Sequence, residues 1–133
     1  MKRFHWSGIV ALWAITLAGC GEQSATTEVT GLVSYNGKPA THGVINFVAP
    51  GQRPLGGPIN PDGTYEALIP PGEYQVRIDA PPRIPEGAKE GEPVANLEPR
   101  LIPEKFADFK SSGLTATITA DSSQTLDFAL TGK

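Results

Sequence analysis

Apolar and polar residues alternate along most of this chain with a period of two. Tyr74, Val76, Ile78 and Ala80 hold one phase, and Glu73, Gln75, Arg77 and Asp79 hold the other. Successive side chains of a strand point to opposite faces, so this is a strand with one buried and one solvated side. The same rule sets Val29, Gly31, Val33 and Tyr35 against Thr30, Leu32 and Ser34. It predicts further strands over residues 44–49, with Ile45 and Phe47 inward, over 56–60, and over 65–69, with Tyr65, Ala67 and Ile69 inward. Leu114, Ala116 and Ile118 alternate with threonines, and Leu126, Phe128 and Leu130 alternate with Thr125, Asp127 and Ala129.

Turn residues separate these runs. Asn36-Gly37 tolerates the positive φ of a type I′ hairpin turn. Pro61-Asp62-Gly63, Pro70-Pro71-Gly72 and Asp121-Ser122-Ser123 stop or reverse the chain. Seven short strands with no helix between most of them predict an all-β fold, a seven-stranded antiparallel β-sandwich. The expected core is Val33, Tyr35, Ile45, Phe47, Tyr65, Ile69, Tyr74, Val76, Ile78, Leu114, Ile118, Leu126, Phe128 and Leu130.

The alternation fails over residues 81–112. Residues 81–100 are rich in Pro, Gly and Glu and read as a long connection, and loops of this length are functional or disordered. In residues 103–109, Pro103 and Glu104 suit a helix start, and Phe106 and Phe109 stand three apart. One short helical turn is expected there, its phenylalanines packed on an edge of the sandwich.

The N-terminus follows a different pattern. Lys2 and Arg3 precede an apolar run from Ile9 to Leu17, broken only by Thr16. The run fits the apolar region of a secretory signal and is too short to span a bilayer. Leu17-Ala18-Gly19-Cys20 follows, and Cys20 is the one cysteine of the chain. These residues resemble a bacterial lipobox. The resemblance implies a signal peptide over 1–19, lipid on Cys20, a tether over 20–27 and a folded domain over 28–133. It also implies export from the cytoplasm and lipid anchoring at the cell membrane or the outer membrane. The residue after Cys20 is glycine rather than aspartate, which favours the outer membrane. Several acyl chains are needed for stable anchoring, since one binds only marginally.

Beyond residue 19 the chain holds nine Lys and Arg against fourteen Asp and Glu, a net charge of −5. No basic run occurs there, which argues against nucleic acid as a partner, since its phosphates reward clustered Lys and Arg. One domain of this size can bury a core without disulfides, and a single cysteine allows none within a monomer.

The segments Gly31-Leu32-Val33-Ser34-Tyr35-Asn36-Gly37-Lys38-Pro39, Gly43-Val44-Ile45-Asn46-Phe47, Asp62-Gly63-Thr64-Tyr65 and Pro70-Pro71-Gly72-Glu73-Tyr74-Gln75-Val76 resemble, in order and spacing, the carboxypeptidase regulatory-like family of transthyretin-like (prealbumin-like) sandwiches. The match covers residues 28–80. Ile102-Pro103-Glu104-Lys105-Phe106 and Ser112-Gly113-Leu114 look like the later part of small bacterial lipoproteins built on this domain. The resemblance implies a sandwich and an envelope location. It implies no peptidase activity, because such a domain is accessory to a separate catalytic one.

Little in the residues points to catalysis. His42 is the one histidine beyond the signal, and no glycine-framed serine accompanies it. The residue types of a zinc site do not cluster, and Asp62-Gly63 lacks the further oxygen ligands of a calcium loop. No enzyme activity, cofactor or metal is expected. The expected function is a non-catalytic binding or structural lipoprotein of the envelope, reaching the membrane through lipid on Cys20. Its contact with an envelope protein is expected through Lys105, Phe106 and the 81–100 connection. The alternative is a carbohydrate-binding module, a glycan partner taking the protein's place; both tryptophans, Trp6 and Trp13, lie in the signal, which leaves that reading few aromatic platforms.

Overall fold

The structure, a computed structural model, describes residues 25–84, 87, 89, 91 and 97–132. Cys20, the signal at 1–19 and most of the tether lie outside the described residues, as do nine positions of the 81–100 connection.

The strands are β1 (Thr27–Tyr35), β2 (Lys38–Pro39), β3 (Val44–Val48), β4 (Leu55–Pro58), β5 (Thr64–Ile69), β6 (Gly72–Asp79), β7 (Leu114–Ile118), β8 (Ser123–Thr125) and β9 (Phe128–Leu130). They form two sheets. In the second, β4, β3, β6 and β7 lie side by side, all antiparallel. In the first, β1 is central: β5 runs antiparallel along one side, while β8 and β9 follow one another along β1. The Asn36-Gly37 turn has both residues at positive φ, 50° and 80°, and folds β2 back onto β1 with Tyr35 opposite Lys38.

One expectation is corrected. The last strand was expected to be a single antiparallel one, yet β8 and β9 are two pieces, both parallel to β1. The direction follows from where the chain is delivered. β7 ends at Ile118, and residues 119–122 then cross between the sheets to the end of the sandwich where β1 begins. The Ser122 carbonyl there accepts from the Glu28 N–H at 3.1 Å. From that end, a strand beside β1 must run the same way as β1.

The break between β8 and β9 also has a cause. The Leu126 carbonyl turns inward and accepts from the Tyr65 hydroxyl at 2.6 Å, while the Leu126 N–H donates to the Thr30 carbonyl at 2.8 Å. A side chain at Gly31 would overlap that carbonyl oxygen, so the glycine is required by close approach. Asp127 then accepts from the Leu32 N–H at 2.9 Å in place of a ladder bond.

Between the sheets the core centres on Phe47, which has Tyr65 and Phe128 at 6.3 Å and Tyr74 edge-on at 6.4 Å, spacings at which aromatic pairs attract. Of the expected core, Tyr35, Leu114 and Leu126 are only half-buried. Val29, Ala40, Ile59 and Ile102 are buried in addition.

Beyond β6 the chain forms a 3-10 turn (Glu104–Ala107) and then α1 (Phe109–Ser112). Asp108 caps α1 by accepting from the Lys110 N–H at 2.7 Å, and Gly113 ends it at φ 67°. This pair of turns packs on β6 where β7, which pairs only Gly72 to Val76, has no residue to offer. The Ser112 hydroxyl donates to the Val76 carbonyl at 2.6 Å.

The topology defines two poles. Thr27 lies opposite Ile69, and its hydroxyl donates to the Thr119 carbonyl at 2.6 Å. This near pole is where the chain from residue 20 arrives. β6 starts there at Gly72 and ends at the far pole with Asp79, opposite Val44. The 81–100 connection therefore leaves from the far pole, about 26 Å from Thr27 at the usual rise per strand residue.

Candidate functional site

The base of the 81–100 connection is held at three levels. The His42 ring donates through Nε2 to the Pro81 carbonyl at 2.9 Å, which fixes the proton on that nitrogen. Arg83 and Glu98 exchange backbone bonds at 3.3 and 3.0 Å. Arg100 meets the Asp79 carboxylate at 2.6 Å. With both side chains about a third exposed, that ion pair is screened by solvent and adds modest stability. Just outside the Arg83–Glu98 bridge stand Ile84 and Leu97, 57% and 53% exposed. Two large aliphatic side chains thus flank the neck of the connection.

The two predicted contact residues divide. Lys105 is exposed and sits on the 3-10 turn, its ammonium 4.7 Å from the centre of the Phe106 ring. Phe106 is buried, 6% exposed, and belongs to the core. It is a packing residue that the lysine covers, so of the two only Lys105 is exposed. Phe109 behaves similarly: half-buried, it carries the Arg77 guanidinium 5.0 Å above its ring. The Arg77 Nε donates to Asn46 at 3.1 Å.

Two shallow grooves lie elsewhere. One, of about 380 Å³, runs over β6 and β7 between Pro50, Glu73, Gln75, Thr115 and Thr117. The other, of about 370 Å³, lies on the first sheet between Thr30, Leu32, Asn60, Glu66, Thr125 and Asp127. The second is acidic: β1, β5, β8 and β9 contain no Lys or Arg. Beside it the Asp62 carboxyl accepts from the Thr64 hydroxyl at 2.6 Å and the Thr64 N–H at 3.0 Å. These bonds, the hydroxyl's above all, hold its pKa below the ordinary 3.8. Burial, and then the nearby Asp127 charge, push the Tyr65 phenol far above its ordinary 10.0.

Among the described residues no group of three or more His, Cys, Asp or Glu could hold a metal ion. His42 is engaged with the Pro81 carbonyl at 2.9 Å, and the hydroxyl beside its other ring nitrogen is that of Thr41 at 3.4 Å. No helix among them is long and apolar enough to cross a membrane. The exposed aliphatic neck was missed in the sequence, where Ile84 and Leu97 lack the periodicity that marks a buried or half-buried element.

No protein-family model and no curated protein matches the chain. Among the solved structures that resemble it are two DUF3823 family proteins. A DUF3823 family protein from Parabacteroides merdae aligns with a TM-score of 0.46 at 18% identity, over 81% of this chain and 46% of that one. A DUF3823 family protein from Bacteroides ovatus aligns with a TM-score of 0.40 at 16% identity, over 77% of this chain and 43% of that one. The chain thus spans less than half the length of these neighbours.

Proposed function

We propose that this chain is an exported lipoprotein, held by lipid on Cys20. Its non-catalytic sandwich, similar to the carboxypeptidase regulatory-like domain, presents the 81–100 connection to a protein of the cell envelope. The observation that carries the reading is the separation of the two poles. The chain from Cys20 enters at Thr27, while the connection leaves beyond Asp79 at the other end. An eight-residue tether reaches about 16 Å and the strands add about 26 Å, so the connection would stand clear of the headgroups. The pinned neck with exposed Ile84 and Leu97 supports a protein partner, since aliphatic side chains beside charge suit such a surface.

A glycan partner finds less support. Phe47, Tyr65, Tyr74, Phe106 and Phe128 are buried, and Tyr35 and Phe109 are half-buried, which leaves no open ring among the described residues for a sugar to stack on.

Two experiments test the reading. Cys20→Ser is expected to move the protein from the detergent phase to the aqueous phase; a mutant that still partitions with detergent removes the anchor. Photo-crosslinkers at Ile84, Leu97 and Lys105 are expected to capture one envelope protein in cells, and deletion of residues 85–96, which keeps all three positions, to abolish the capture. Unchanged capture after the deletion would reduce the connection to a linker.

A further inference from the structure

β1 and β6 share a property that none of the other strands combines with their position. Each is paired along both sides, and each leads to one pole. β1 is flanked by β5 over Thr27–Leu32 and by β8 and β9 over Glu28–Tyr35. β6 is flanked by β3 over Gln75–Asp79 and by β7 over Gly72–Val76, and the 3-10 turn and α1 cover its remaining side. The chain enters β1 at the near pole and leaves β6 at the far pole.

From this we propose that the domain is a load-bearing link, arranged to carry tension between the N-terminal tether and a contact on the 81–100 connection. The proposal rests on the reading above for where the two loads attach.

The argument is geometric. Antiparallel ladder bonds lie perpendicular to their strands. Tension along a strand therefore strains many of them together, and the strand leaves only when they fail together. Tension across the end of a ladder opens the same bonds one pair at a time, at much lower force. A pull on the tether acts along β1, away from the far pole. A pull on Arg83 acts along β6 in the opposite direction. Both loaded strands must be sheared from two neighbours each. Sliding of one sheet over the other is opposed by Phe47, wedged among Tyr65, Tyr74 and Phe128. At the near pole Thr119 joins the sheets: its carbonyl takes the Thr27 hydroxyl of β1 at 2.6 Å, and its N–H donates to the Gln124 side chain of β8 at 2.9 Å. At the far pole the Arg83–Glu98 bridge gathers both arms of the connection, and the shorter arm runs straight into β6.

The test is single-molecule pulling on the unlipidated full chain made by cell-free synthesis, with the Cys20 thiol as one handle. The second handle is Ile84→Cys at the far pole or, for comparison, Pro71→Cys or Ser122→Cys at the near pole; all three positions are exposed. Forced unfolding reports the barrier to unfolding. The Cys20–Ile84→Cys pair is expected to unfold at about threefold higher force than either near-pole pair, which would peel β1 from β5 or β8 end first. Equal forces, or a weaker far-pole pair, overturn the proposal. Because no lipid or partner is present, this result is independent of whether Cys20 anchors the protein, which the detergent partitioning of Cys20→Ser decides separately.

Discussion

The two sheets of this sandwich are completed by different means. The second is a regular antiparallel ladder, each strand delivered to its neighbour by the alternation of its own residues. The first depends on single distant contacts. Its central strand is matched on one side by two short pieces, β8 and β9, joined by an inward-turned carbonyl that one glycine admits and one tyrosine holds. A ladder spreads its stability over many equivalent bonds. A closure of the second kind concentrates it at Gly31, Tyr65 and Leu126, so the two sheets should answer differently to substitution.

The largest effect should come where they meet. Phe47 is fully buried and touches rings from both sheets. Phe47→Ala is expected to cost about 3–5 kcal/mol in urea unfolding and to lower the protection of both sheets together. Protection lost from only one sheet would mean that the sheets are less coupled than their shared core implies.

Gly31→Ala separates them. The added methyl meets the Leu126 carbonyl, and the overpacking should cost about 1–3 kcal/mol. Hydrogen exchange should quicken at β8 and β9 while β3, β6 and β7 keep their protection. Uniform loss across both sheets would contradict the contrast.

Tyr65→Phe should cost about 1 kcal/mol through the lost bond to the Leu126 carbonyl. It should also change the response to alkali. The unfolded chain ionises its tyrosines near 10.0, whereas burial keeps the Tyr65 phenol neutral well beyond that. Its contribution is therefore intact below pH 10 and shrinks as the pH rises further. The variant should lose stability more slowly than the parent above pH 10, and identical alkaline slopes would rule this out.

The smallest effect is local. Thr64→Val should let the Asp62 carboxyl return toward 3.8, read by NMR titration, because the hydroxyl is the main cause of its depression. An unmoved titration would leave the Thr64 N–H as the dominant partner.

The contrast also explains what could be read from the sequence. The second sheet was legible because its information is local. Tyr74 to Ala80 state which face is buried, and Pro70-Pro71-Gly72 states where β6 begins. The helical turn near residues 103–109 was legible from the Phe106–Phe109 spacing. The direction of β8 and β9 was not, because it depends on the pole to which residues 119–122 deliver the chain. The packing of Phe106 on an edge of the sandwich was legible too, but its place was not: it follows from the late start of β7, which leaves a gap beside β6. The pinned neck joins His42 to Pro81, and Arg83 to Glu98, across stretches with no periodicity to announce a contact.

Gln124 has a consequence of its own. β7 is an edge strand, and edge strands offer unpaired backbone groups to any passing chain. The Gln124 side chain donates to the Thr117 carbonyl at 2.9 Å and accepts from the Thr119 N–H at 2.9 Å. One carboxamide thus imitates the peptide group of an absent neighbour and occupies the end of the template. A strand arriving at that end of β7 finds a carbonyl and an N–H already taken, which opposes the edge-to-edge pairing from which cross-β stacking grows.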